Sequence, residues 1–233
     1  MTISAHLAQV RDGIALAARA AGRDPSSVTL LAVSKTFGPE AVIEAADAGQ
    51  REFGENYVQE ALEKIAAVKA RRPDLDLIWH FIGPLQSNKT RPVAEQVDWV
   101  HSVDRLKIAQ RLSEQRPLHL PPLNICVQVN VSGEASKSGV PPDALLVLAA
   151  QVAVLPRLRL RGLMAIPEPV EDPALQRQPF AKLCQLQQRL REAGIHTDTL
   201  SMGMSADMSA AIAEGATIVR IGTAIFGKRD YEQ

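Results

Sequence analysis

The sequence is short of the residues that cross-link or stack, and it has no excess of either charge. It has two cysteines in 233 residues, and aromatics make up 4 %. Cys126 and Cys184 lie far apart in apolar patterns, with no CxxC and no histidine at ligand spacing. That excludes a disulfide framework or zinc ribbon and leaves two buried free thiols as the expectation. Lys+Arg and Asp+Glu stand at 26 each, so the formal net charge is zero. Nothing in that balance asks for nucleic acid or an anionic membrane. No apolar run reaches membrane-spanning length. The start, "MTISAHLAQVRDG", lacks a basic stretch followed by an apolar one, so no secretion signal is read and a cytoplasmic protein is expected. No histidine pairs with another at helical spacing beside a carboxylate, so a metal site is not expected.

What is present is alternation. Hydrophobic residues make up 46 % and charged residues 22 %, ordinary for a globular chain. Leu7, Val10, Ile14 and Ala17 recur at helical spacing, and "AGRDPSS" ends that first helix. Eight strand-like runs follow: "VTLLAVS", "REFGEN", "LIWHFIG", "WVHSVD", "NICVQVNV", "LRGLMAI", "DTLSMGM" and "TIVRIGTAIFG". Helical patterns separate them, among them "PEAVIEAADAG", "NYVQEALEKIAAVKA" and, from Pro179, "PFAKLCQLQQRLREAG". Strands alternating with helices require parallel pairing through right-handed crossovers. The length suits an α/β fold made of a single (β/α)8 TIM-type barrel with an extra N-terminal helix, spanning 1–233 as one domain. An open doubly wound sheet is the alternative, but no G-x-G-x-x-G follows the first strand.

In such barrels the working residues stand where strands end. Lys35 ends the first strand, Glu55 and Asn56 the second, "GPLQSNK" the third and "SGEASKSG" the fifth. "SMGMS" ends the seventh strand and brings Ser201, Gly203 and Ser205, the last expected to cap the next helix. "RIGT" in the eighth brings Arg220, Gly222 and Thr223. Glycines and a helix start favour a phosphate near the last two strands. Because the eighth strand closes on the first, Lys35 is its neighbour. Burial favours the neutral amine over the ammonium, and a neutral amine attacks aldehydes. These residues point to a phosphate-plus-lysine site, and do not by themselves separate pyridoxal phosphate from a sugar phosphate.

The segments "AVSKTFGPEAVIEAADAG", "REFGENYVQEALEK", "WHFIGPLQSNK", "NVSGEASKSG" and "LSMGMSADMSAAIAEGATIVRIGTAIFG" closely resemble the YggS/PROSC family of pyridoxal phosphate homeostasis proteins. The resemblance runs from about Val28 to the end and implies the barrel of the alanine racemase N-terminal domain. It implies that Lys35 forms an aldimine with pyridoxal 5′-phosphate. It further implies that Ser201, Gly222 and Thr223 hold the phosphate, that Arg220 faces the pyridine nitrogen, and that Asn56 lines the ring pocket. An arginine there discourages protonation of that nitrogen and weakens the ring as an electron sink.

Three functions follow. A carrier holds the cofactor and delivers it to apo-forms of pyridoxal phosphate enzymes; this is the expectation, with a monomer and no catalysis of its own. An amino-acid racemase needs a second acid/base, which by resemblance comes from a tyrosine in a separate C-terminal domain. Here the tyrosines are Tyr57 and Tyr231, and the sequence stops at Gln233. A lysine-dependent aldolase would use Lys35 on a sugar phosphate and be colourless. His80, inside "WHFIG", reads as a satisfied core residue and His6 as a surface one; Lys137 is a candidate anion contact above the mouth; Asn88 and Lys89 read as the start of a helix.

Overall fold

Parallel strands covered by helices must be apolar on both faces, and the first strand shows how this chain meets that demand. In the computed structural model, which describes residues 2–133, 138–170 and 172–227, β1 (Thr29–Val33) turns Leu31 and Val33 toward Ile82 and Ile218 inside the barrel. Leu30 and Ala32 join the larger apolar shell between strands and helices. Before it, α1 (Ile3–Ala20) starts at Thr2, whose hydroxyl accepts from the Ala5 N–H.

The crossovers then repeat. They run α2 (Pro39–Asp47), β2 (Glu52–Glu55), α3 (Val58–Arg71), β3 (Ile78–Phe81), α4 (Thr90–Gln96), β4 (Trp99–Val103), α5 (Leu106–Gln115) and β5 (Leu123–Gln128). They continue with α6 (Leu145–Ala153), β6 (Leu158–Met164), α7 (Pro173–Glu192), β7 (Thr199–Ser201), α8 (Met208–Ala213), β8 (Ile218–Ile221) and α9 (Thr223–Phe226). Neighbouring strands pair in parallel in sequence order, and β8 returns to β1 with Ala32 opposite Ile221, closing the barrel. The expected TIM-type barrel with an additional N-terminal helix is therefore the observed fold. That helix clamps the closure from outside: His6 Nδ1 lies 2.9 Å from the Ile225 carbonyl of α9, so His6 is part-buried rather than a surface residue.

Three local expectations change. The run "TIVRIGTAIFG" is strand only to Ile221, after which the chain turns into α9. Its partner β1 has ended at Val33, so there is no ladder left to extend, and the Ile225 and Phe226 amides close onto the Gly222 carbonyl instead. Ser205 is exposed and does not cap α8; Asp207 stands at the cap and its carboxylate accepts from the Met204 N–H at 2.6 Å. The helix read from Pro179 starts earlier, at Pro173, because Asp172 supplies a side-chain cap and Pro173 suits a first turn.

Candidate active site at the mouth of the barrel

Parallel strands deliver their C-terminal ends to one rim, and the expected residues meet there. Ser34 follows β1, and its N–H donates to the Gly54 carbonyl of β2 at 3.0 Å. Lys35 comes next, half-buried at the rim. On its other side, a Cβ on Gly222 would stand 3.1 Å from the Val33 carbonyl. That close approach sets the start of α9 beside the Lys35 turn. The first N–H groups of a helix have no partner within it, so Gly222 and Thr223 present donors at the rim, with Thr223 exposed. Gly203 has φ of 95°, and a Cβ there would come within 2.5 Å of the Ala211 Cβ, so glycine lets α8 close against the β7 loop.

Arg220 and Ser201 are not rim groups. Both are buried in the barrel. Arg220 donates to the Ser201 hydroxyl at 2.8 Å and to the Ala165 carbonyl at 2.8 Å. Burial pulls its guanidinium down to about 10, which leaves it cationic at neutral pH. The Ser201 hydroxyl also lies 2.7 Å from His101 Nδ1, and His101 Nε2 lies 2.9 Å from His80 Nδ1. Burial, then the neighbouring His80 and Arg220, hold His101 well below the usual histidine range. A neutral imidazole has one N–H, so of these two contacts His101 donates one and accepts the other. His80 stacks on Trp99, and its Nε2 stands 3.1 Å from Glu52 Oε2 but out of line for a hydrogen bond. The expectation of a satisfied core histidine therefore holds for one ring nitrogen only. A polar column, Glu52–His80–His101–Ser201–Arg220, thus runs through the barrel interior and fixes Arg220.

A second polar cluster lies behind Lys35, between β2 and α3. Lys64 is buried, and its ammonium donates to Glu55 Oε1 at 2.6 Å, Glu60 Oε1 at 2.8 Å and the Ser34 carbonyl at 2.7 Å. The Ser34 hydroxyl donates to the same Glu55 oxygen at 2.6 Å. Burial raises the Glu55 carboxyl above its ordinary value, with Lys64 opposing. Sequence reading missed Glu60, Lys64 and His101. The signal for Lys64 was there: it shares the apolar stripe of α3 with Ala61, Ile65 and Val68, where a cation needs a partner.

Tyr57 sits at the start of α3 and is 55 % exposed. Asn88 and Lys89 form a single turn leading into α4, as expected. Cys126 is buried and Cys184 only part-buried, a correction to the expected pair of buried thiols. Lys137 and Tyr231 lie outside the described residues.

The residues present fit a phosphorylated aldehyde. A lysine stands beside a helix start, a buried cation lies beneath, and the Asn56 side chain has a buried Oδ1 without a partner. Gly83 lets Asn56 sit there, because a Cβ at that position would be 2.0 Å from the Asn56 carbonyl oxygen.

Comparison with known proteins agrees with this arrangement. Residues 5–230 match the family described as alanine racemase, N-terminal domain. A protein of Pseudomonas aeruginosa called pyridoxal phosphate homeostasis protein is 64 % identical, over 99 % of this chain and 97 % of its own. PipY of Synechococcus elongatus, solved with pyridoxal phosphate bound, is 38 % identical with a TM-score of 0.83, over 97 % of this chain and 100 % of its own. Alanine racemase of Corynebacterium glutamicum shares the fold at 14 % identity and a TM-score of 0.69, over 94 % of this chain and 60 % of that one. The closed barrel thus goes with 64 % identity over nearly the full length, and the chain belongs to the YggS/PROSC family of pyridoxal phosphate homeostasis proteins, within the alanine racemase N-terminal-domain group.

Proposed function

We propose that the chain, acting as one domain over 1–233, binds pyridoxal 5′-phosphate and serves its homeostasis and delivery as a carrier. The observation that carries this reading is the Lys35 turn lying against the start of α9, as the Gly222 approach to Val33 requires. The homeostasis name of the Pseudomonas relative and the cofactor-bound PipY structure support it. When bound, the cofactor supplies an aldehyde that a lysine amine captures reversibly and a conjugated ring that draws electrons.

Each residue has a role in this reading. The Lys35 amine is the covalent anchor. The Gly222 and Thr223 amides and the Thr223 hydroxyl hold the phosphate against the α9 terminus, where the helix dipole favours an anion. Gly203 shapes the neighbouring loop. Ser201, whose hydroxyl is engaged by Arg220 and His101, contributes from beneath by holding those groups. Arg220, held by Ser201 and the Ala165 carbonyl, would face the ring nitrogen. As a buried cation it keeps that nitrogen from gaining a proton, which lowers the catalytic power of the site. Asn56, whose buried Oδ1 has no partner among the described residues, would line the ring pocket.

Among the described residues the mouth is accessible: Thr223 is exposed and Lys35 half-buried. Water access weakens control of reactive species and eases cofactor exchange. Tyr57 is too exposed to be held as a second base, which favours carrier over racemase. No helix of the described residues is long and apolar enough to cross a membrane. We place the protein in the cytoplasm, as a monomer, with apo-forms of pyridoxal phosphate enzymes as recipients.

The test is a spectrum of the purified protein before and after borohydride, followed by peptide mapping. The expected result is a visible band that borohydride abolishes, leaving added mass on the Lys35 peptide. A colourless protein, or mass fixed only on another lysine, refutes the anchor. Rapid deuterium uptake at the α-carbon of amino acids refutes the carrier.

A further inference from the structure

Lys35 lies outside the β-ladder, since β1 ends at Val33. Something else must set the direction of its backbone. The two peptide groups that flank it are both held by one face of α3. The Ser34 carbonyl accepts from the Lys64 ammonium at 2.7 Å, and the Thr36 N–H donates to Glu60 Oε1 at 2.5 Å. Glu60 and Lys64 are one helical turn apart and pair with each other at 2.8 Å.

Two facts separate this cluster from ordinary packing. Thr36 has φ of 70°. A β-branched residue is rarely found there, and it persists only where its surroundings over-determine it. The Glu60 bond to its N–H supplies that constraint. Second, a buried lysine with two carboxylates gives a barrel little stability, because apolar side chains of the same volume serve as well or better. What this lysine does is hold the turn in place.

We propose that Glu60 and Lys64 are positioning residues that clip the turn on both sides of Lys35 and so aim its amine at the site. The inference rests on the reading of Lys35 as anchor. A lysine on a four-carbon stem reaches many places; fixing the peptide groups on either side of its Cα removes much of that freedom before the reaction.

The test uses the full chain freed of cofactor, as parent, Glu60→Ala, Glu60→Gln and Glu60→Ala with Thr36→Gly. Two quantities are read: the rate of covalent capture of pyridoxal phosphate by stopped-flow absorbance, and hydrogen exchange of the Thr36 amide with no aldehyde present. Glu60→Ala is expected to slow capture by about tenfold or more, as misplacement of a reacting group does, and to speed Thr36 exchange. Glu60→Gln keeps an acceptor oxygen and stays within about twofold of the parent. Thr36→Gly removes the strain that Glu60 opposes, so the double variant regains most of the lost rate. Parent-like capture and exchange in Glu60→Ala overturn the proposal, as does a Glu60→Gln protein as slow as Glu60→Ala. A parent that captures no aldehyde at Lys35 refutes the function above, while Thr36 exchange still reports whether the clip exists.

Discussion

Replacing Lys64 with methionine removes a buried ammonium and leaves Glu55 without its cation. Glu55 is 1 % exposed, and its Oε2 has no partner even in the parent. Breaking a buried pair by deleting one member costs about 3–5 kcal/mol, because the survivor remains buried and charged. At about 2–4 °C per kcal/mol for a chain of this size, the melting temperature should fall by roughly 6–20 °C at pH 8. The loss must depend on pH. Burial already raises the Glu55 carboxyl above its ordinary value of 4.5, and Lys64 is the largest influence opposing that rise. A carboxyl raised on folding binds its proton more tightly in the folded state. Its favourable contribution is complete below the ordinary value and is lost as pH rises toward the folded one. Without Lys64 the folded value moves further up and the window widens. The gap between variant and parent therefore opens above the parent's own raised folded value and grows by about 1.4 kcal/mol for each unit of added shift. Thermal melts at pH 5 and pH 8 measure it: the variant should approach the parent at pH 5 and fall away at pH 8. Adding Glu55→Gln, a neutral side chain of the same shape, should recover most of the loss at pH 8. A penalty equal at both pH values, or no recovery from Glu55→Gln, refutes this account of the cluster.

Gly83→Ala should cost at least about 1–3 kcal/mol by overpacking and should displace Asn56, whose carbonyl oxygen lies 2.0 Å from the added Cβ; a melt and the cofactor absorbance per chain both report it, and an unchanged pair of readings sinks the claim. Burial pushes the Cys126 thiol up to about 12, so iodoacetamide at pH 8 should label the part-buried Cys184 first and reach Cys126 only as the chain unfolds, as peptide mass spectrometry would show. Equal early labelling of both cysteines contradicts the packing described for β5.

Much of the barrel was legible because its signals are local. Apolar runs such as Leu30–Val33, with helical stripes between them, report strand and crossover without knowledge of their neighbours. From eight such units the closure of β8 on β1 follows, and with it the meeting of Lys35 and "RIGT", separated by most of the chain. Local signals also misled where tertiary pairing decides. "TAIFG" reads as strand on composition, yet it winds into α9 because β1 offers no further edge. Ser205 is a good capping residue by type, but Asp207 reaches the Met204 amide.

The sequence alone determined the class of fold and the rim on which the working groups stand, since periodicity is written residue by residue; Lys35, read as the end of the first strand, stands two residues beyond it, because β1 stops at Val33. Only the tertiary structure decided which polar groups pair: Lys64 under the Lys35 turn, and His101 against Ser201, 100 residues away. Those contacts join strands and helices that are brought together only when the barrel closes. Whether a buried polar group is held or stranded depends on the geometry of that closure, and no short stretch of chain contains it.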